Sequence, residues 1–129
     1  MYKYKVYTLE NGLIETNNIV HISGLTWHRE DGPAFTKYYK NGNIEHEVYY
    51  VKDKKHRIDG PAYIEYYDNG KVSYEEYWYN NKKHRLDGPS DIGYDTYGNI
   101  TNEVYCINDI EYSKENYHKE LLKLKIYSL

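Results

Sequence analysis

Among its 129 residues the chain has one cysteine, one methionine, one phenylalanine, three prolines and only two alanines, Ala34 and Ala62. The lone Cys106 allows neither an internal disulfide nor a cysteine-rich zinc site, and a single thiol suits a reducing compartment. Leu, Ile, Val and Phe total 26 residues, close to the lower limit for a packed core. No apolar run approaches the roughly 18 residues of a membrane span. The opening stretch Met1-Tyr2-Lys3-Tyr4-Lys5-Val6-Tyr7 has no apolar block of the secretory kind. These absences point to the cytoplasm, of its own cell or of a host. Seventeen Lys and Arg against twenty Asp and Glu give a net charge of −3, unlike a dedicated duplex-DNA binder. Tyrosine is what the chain has in abundance: 19 of them, with two tryptophans, carry much of the apolar area. So little Ala beside so much Tyr, Ile and Val disfavours a helical bundle and favours β structure in a single domain, residues 1–129.

Self-similarity is the strongest signal. His28-Arg29-Glu30-Asp31-Gly32-Pro33-Ala34 returns as His56-Arg57-Ile58-Asp59-Gly60-Pro61-Ala62 and again as His84-Arg85-Leu86-Asp87-Gly88-Pro89-Ser90, each time after 28 residues. Asn41-Gly42, Asn69-Gly70 and Tyr97-Gly98 keep the same step, as do Glu47, Glu75 and Glu103, and Tyr49, Tyr77 and Tyr105. The units are residues 28–55, 56–83 and 84–111, preceded by a degenerate unit over 1–27 and followed by a different segment over 112–129. Asn11-Gly12 in the first segment matches Asn41-Gly42, two residues off the period.

Each unit reads as a β-hairpin. Ala62, Ile64 and Tyr66 share one face of a strand, and Asp68-Asn69-Gly70-Lys71 is a tight turn in which Asn and Gly accept positive φ. Val72 to Tyr79 returns with a mixed phase that suggests a bulge. Asn80-Asn81-Lys82-Lys83-His84-Arg85 then predicts a wide polar connection, closed by Gly-Pro. Hairpins in series make an antiparallel meander whose units supply each other's missing face. After Ser113, a helix cap, the period changes: Tyr117, Leu121 and Leu124 form a core-facing stripe on a helix over 114–125 that covers the end of the sheet. Glu115 and Lys119 make an i,i+4 pair on that helix. At the other end, the alternating Lys of Tyr2 to Tyr7 suits a protected edge strand.

The pattern His-Arg-x-Asp-Gly-Pro-Ala, an aromatic strand, Asn-Gly and then Glu-x-Tyr-Trp-Tyr resembles the MORN-like repeat proteins abundant in giant DNA viruses, with relatives in phages and bacteria. The resemblance covers Thr26 to Leu124. It implies a sheet of serial hairpins and carries almost no information about activity. The shorter Tyr-x-Gly-x-Trp unit of MORN repeats proper is absent here, so the fold transfers better than any lipid or scaffold role.

Three alike His-Arg-x-Asp blocks at regular steps favour turn architecture over a single active site, so no catalytic residue is assigned and the chain reads as non-enzymatic. His28, His56 and His84 lie roughly 10 Å apart if each unit spans two strands, too far to share one ion, and no cofactor or metal is expected. Glu47, Glu75 and Glu103 are expected to neutralise Lys or Arg across the sheet, and Cys106 replaces Tyr50 and Trp78 as a packing residue. The face opposite Ala62 carries Phe35, Lys37 and Tyr39, then Tyr63, Glu65 and Tyr67, then Asp91, Gly93 and Asp95. An aromatic surface with a border reads either as the face under the C-terminal helix, since alternation does not say which face is wet, or as a contact patch for a protein partner or for self-association, with Phe35, Tyr39, Tyr63, Tyr67 and Trp78 as its candidates. The alternative is capture of an anionic ligand, a nucleotide or single-stranded RNA, by a basic edge of Lys55, His56, Arg57, Lys83, His84 and Arg85.

Overall fold

The computed structural model describes residues 1–127, with side chains as far as Lys125. Its strands are β1 (Tyr4–Thr8), β2 (Gly12–Thr16), β3 (Phe35–Tyr38), β4 (Ile44–Val48), β5 (Tyr50–Val51), β6 (Lys54–Lys55) and β7 (Tyr63–Tyr66). There follow β8 (Val72–Glu76), β9 (Trp78–Tyr79), β10 (Lys82–Lys83), β11 (Asp91–Tyr94), β12 (Ile100–Ile107) and β13 (Ile110–Tyr112). A 3-10 turn covers Ile19–Ile22, and the helix α1 runs Lys114–Tyr127. Nine strands make one antiparallel sheet in the order β2-β1-β3-β4-β7-β8-β11-β12-β13, and β5-β6 and β9-β10 form small hairpins beside it. The expected meander of hairpins with a C-terminal helix is therefore the observed fold.

The mixed phase of the return strands has a structural cause. Tyr38 faces Ile44 while Lys37 faces His46, which leaves Glu45 as an extra residue, and the same slip recurs at Glu65/Tyr66 and Gly93/Tyr94. A bulge in each unit bends the strand and tightens its twist. Across the sheet, Thr36, Glu47, Ile64, Glu75, Ile92 and Glu103 stand in one row. Neighbouring positions Ile14, Val6, Phe35, Val48, Tyr63, Glu76, Asp91 and Val104 form the row on the opposite face.

Two expectations are corrected here. The connection after Tyr79 is not wide: Asn80 and Asn81 make a two-residue turn with φ of 46° and 67°, and Lys82 and Lys83 pair back on Tyr79 and Trp78. Lys52-Asp53 and Asn108-Asp109 make the same left-handed turn in the other units. Asn and Asp tolerate that backbone because a short polar side chain bonds locally, and here Lys and Asp share the work. The N-terminal strand is not an edge either. β1 lies between β2 and β3, and β2 is the outer strand. Val6 opposes Phe35 as Val48 opposes Tyr63, so β1 occupies the place of a unit's second strand. The Asn-Gly turn is common to both hairpin types, so it cannot reveal which of them the chain has entered.

The core has two centres. Val6, Ile22, Phe35 and Val48 are buried together, with Tyr4, Ile14, Trp27, Tyr50 and Tyr63 packed against them. The Ile19–Ile22 turn and Trp27 thus cover the N-terminal part of one sheet face, and Trp27 donates its indole N–H to the Ile22 carbonyl at 3.1 Å. At the other end Tyr105, Ile107 and Tyr117 are buried, with Tyr112 and Leu121 around them. Ser113 caps α1 by accepting from Asn116 N at 3.2 Å, and Glu115 pairs with Lys119. Of the expected stripe, Tyr117 and Leu121 pack inward, whereas Leu124 is 41% exposed and is not part of it.

Candidate functional site

Each His-Arg-x-Asp-Gly-Pro block is a loop held by its own residues. Arg57 donates from Nε to Asp59 at 3.1 Å and from Nη1 to the Pro61 carbonyl at 3.0 Å. Its guanidinium lies 4.1 Å from the centroid of the Tyr49 ring. Arg29 repeats this with Asp31, Pro33 and Tyr7, and Arg85 with Asp87, Pro89 and Tyr77. The glycine makes room for the stack: a Cβ on Gly60 would stand 2.8 Å from Arg57 Cζ, and Gly32 and Gly88 are equally crowded by their arginines.

The histidine and the turn join one unit to the next. His28 Nδ1 accepts the Lys52 N–H at 3.0 Å, His56 Nδ1 that of Asn80 at 3.0 Å, and His84 Nδ1 that of Asn108 at 3.1 Å. The second turn residue completes the joint: Asp53 accepts from Trp27 N and donates its own N–H to the Trp27 carbonyl. Asn81 does the same with Lys55, and Asp109 with Lys83. A backbone N–H directed at Nδ1 uses that nitrogen's lone pair, so the bond is made only by the tautomer that carries its proton on Nε2.

That requirement predicts acid sensitivity. Burial lowers the pKa of His84 below its ordinary value, and burial is also the largest effect lowering that of His46. On acidification below about pH 6.5 the unfolded chain takes up protons that the folded one resists. Stability is therefore full above that value and falls as the pH drops through the folded pKa. Urea midpoints at pH 7.5, 6.5 and 5.5 should fall in that order. His84→Asn, which keeps an acceptor where Nδ1 lies, should flatten the dependence; an unchanged slope would remove His84 from the cause.

The residues expected at a binding surface have varied positions. Phe35 is not on the surface: it is 7% exposed, stacked between Trp27 and His46 in the first core centre. Tyr39 and Tyr67 lie past the bulges, and each donates its hydroxyl to the next unit, to the Tyr66 and Tyr94 carbonyls at 2.6 Å. Tyr63 donates to Glu65 at 2.6 Å, and Trp78 donates from Nε1 to Glu76 at 3.0 Å. The glutamate row meets tyrosines rather than Lys or Arg: Tyr66 donates to Glu47 and Tyr94 to Glu75. Burial, reinforced by those carboxylates, pushes both phenol pKa values up.

The basic edge is similarly engaged. Lys55 sits 4.6 Å from the Trp78 ring. Lys83 lies between Asp91 at 2.6 Å and Glu76 at 3.1 Å, where the single Tyr74 hydroxyl proton is within hydrogen-bond reach of either carboxylate. Burial works against the Lys83 charge, but its bonds to Asp91 and Glu76 outweigh it and hold its pKa above the ordinary value. His56 and His84 offer only Nε2, and the arginines are committed to Asp, Pro and Tyr. Cys106 is buried, and burial raises its thiol pKa. Among the described residues no cluster of His, Cys, Asp or Glu is placed to hold a metal ion.

Open space lies between successive loops. A cleft of about 610 Å³ is lined by Arg29, Gly32, Tyr49, Val51, His56 and Ile58 among others. A second, of about 410 Å³, is lined by the residues 28 positions on, including Arg57, Gly60, Tyr77, Tyr79, His84 and Leu86. The sequence reading missed these clefts, although their signal was present in the variable position of the block. Glu30, Ile58 and Leu86 differ while their neighbours repeat, and Ile58 is 84% exposed at the boundary of both clefts. No helix among the described residues is long and apolar enough to cross a membrane. No protein-family model, curated protein or solved structure matches the chain.

Proposed function

We propose that the chain is a non-enzymatic repeat module that binds a protein partner along its row of inter-loop clefts. One observation carries this: the repeated residues are spent on holding loops and joining units, while the varying ones, Glu30, Ile58 and Leu86 with Val51 and Tyr79, border the clefts. Repeat proteins divide labour in this way between a constant frame and a variable binding surface. The likeness of the block to MORN-like repeats supports the same frame. The aromatic sheet face is the weaker candidate surface, since Phe35 is buried and Tyr39 and Tyr67 bridge units. A single buried thiol fits a module working in the cytoplasm.

A photo-crosslinking amino acid placed at Tyr79, which is 45% exposed, tests this against the same group at Tyr97, which is 86% exposed on a distant hairpin turn. A discrete protein adduct from the first position and none from the second is the expected result, insensitive to salt between 50 and about 200 mM. An RNA or nucleotide adduct, or capture lost steeply over that range, would replace it with anion capture.

A further inference from the structure

The two clefts have a third counterpart that the chain fills itself. Beyond the last loop there is no fourth arginine to lie on Tyr105, and Tyr117 of α1 takes that place, its ring centroid 4.8 Å from that of Tyr105. Its hydroxyl donates to the Arg85 carbonyl at 2.6 Å and accepts the Gly88 N–H at 3.3 Å. Tyr117 is 1% exposed there. The same backbone pair, one carbonyl and one N–H, belongs to Arg29 and Gly32 in the first cleft and to Arg57 and Gly60 in the second. Among the described residues no protein group bonds either pair. Where Tyr117 lies on Tyr105, Arg57 and Arg85 already lie on Tyr49 and Tyr77, so a ring entering these clefts packs on the guanidinium and on the apolar rims of Ile58 and Leu86.

From this internal example we infer that the first and second clefts each accept a tyrosine side chain of an extended partner segment. This rests on the module reading above and specifies its ligand. The phenol ring covers the apolar rim, and its hydroxyl joins the loop's carbonyl and N–H as that of Tyr117 does. A purely aliphatic side chain would leave both backbone groups unanswered, and a carboxylate would meet the carbonyl with no proton to give. Consecutive units of two strands put equivalent clefts about 10 Å apart, and three residues of extended chain span about 10 Å. The partner motif is therefore Tyr-x-x-Tyr in an extended segment.

Two probes test it on the full chain. p-Cresol titrated into the labelled protein should shift the amide resonances of Gly32 and Gly60 saturably, while Gly88, already bonded to Tyr117, stays still. Fluorescent ten-residue peptides with Tyr-x-x-Tyr should bind at least ten-fold more tightly than Tyr-x-Tyr or Phe-x-x-Phe versions. Ile58→Asp, at an exposed rim, should cost at least ten-fold in that affinity without altering the fold seen by circular dichroism. Silent Gly32 and Gly60 amides, or equal affinity at all spacings, would overturn the inference. If the Tyr79 crosslink still yields a protein adduct in that case, the module stands and only its tyrosine ligand falls.

Discussion

Tyr117→Ala is expected to lower stability by about 4 kcal/mol, within the range for emptying a buried aromatic site. In a domain of this size that is a loss of about 15 °C in Tm. The side chain is 1% exposed, covers Tyr105 and packs beside Ile107, and bridges the third loop through Arg85 and Gly88. Its removal uncovers the end of the sheet, because among the described side chains of α1 only Leu121 packs beside it in this cluster. Tyr117→Phe keeps the ring and gives up the two hydroxyl bonds, so it should cost about 1 kcal/mol. Thermal unfolding of the two variants separates ring from hydroxyl. A loss for Tyr117→Ala no larger than that for Tyr117→Phe would mean that the ring does not hold the cap.

The second large effect is at Gly60. An alanine methyl there would meet the Arg57 guanidinium at 2.8 Å, and the guanidinium cannot withdraw across the Tyr49 ring 4.1 Å away on its other side. It must leave its place and lose the Pro61 carbonyl, Asp59 and the ring together. The expected cost is about 2 kcal/mol, the sum of one part-buried charge-assisted bond, a smaller term from exposed Asp59 and a cation–π contact. Arg57→Ala should cost about the same for the same reasons. The double variant should then be little worse than either single one, since residues sharing one arrangement do not add. Additive losses in denaturant midpoints would show that Gly60 serves some other purpose. Backbone strain is not that purpose, since Gly60 has no left-handed φ.

Much of this was legible from residue order. The 28-residue step of His-Arg-x-Asp-Gly-Pro announced serial hairpins, and the Asn-Gly turns and bulged return strands followed from local chemistry. Ser113 and the Glu115–Lys119 pair marked the helix start. The structural role of the blocks followed from their sameness, but not how they work. That Arg57 lies between Gly60 and Tyr49 joins residues three and eight positions away from it through a fold that period alone does not describe. His56 and Asn80 meet across 24 residues for the same reason. Phe35 was misplaced because alternation tells two faces apart without telling which is covered. The covering piece, Ile22 with Trp27, is an irregular segment with no period to read.

Residue order by itself determined the repeat, the β class and the capped end, because turn preference, alternation and helix capping are short-range effects written within a few neighbours. Tertiary structure alone decided that β1 lies inside the sheet, that one face is closed over Val6 and Phe35, and that Tyr117 fills the place of a missing arginine. Those outcomes depend on which surfaces find each other once the hairpins are stacked. Burial and hydrogen bonding between units select that arrangement, and no single unit contains the information.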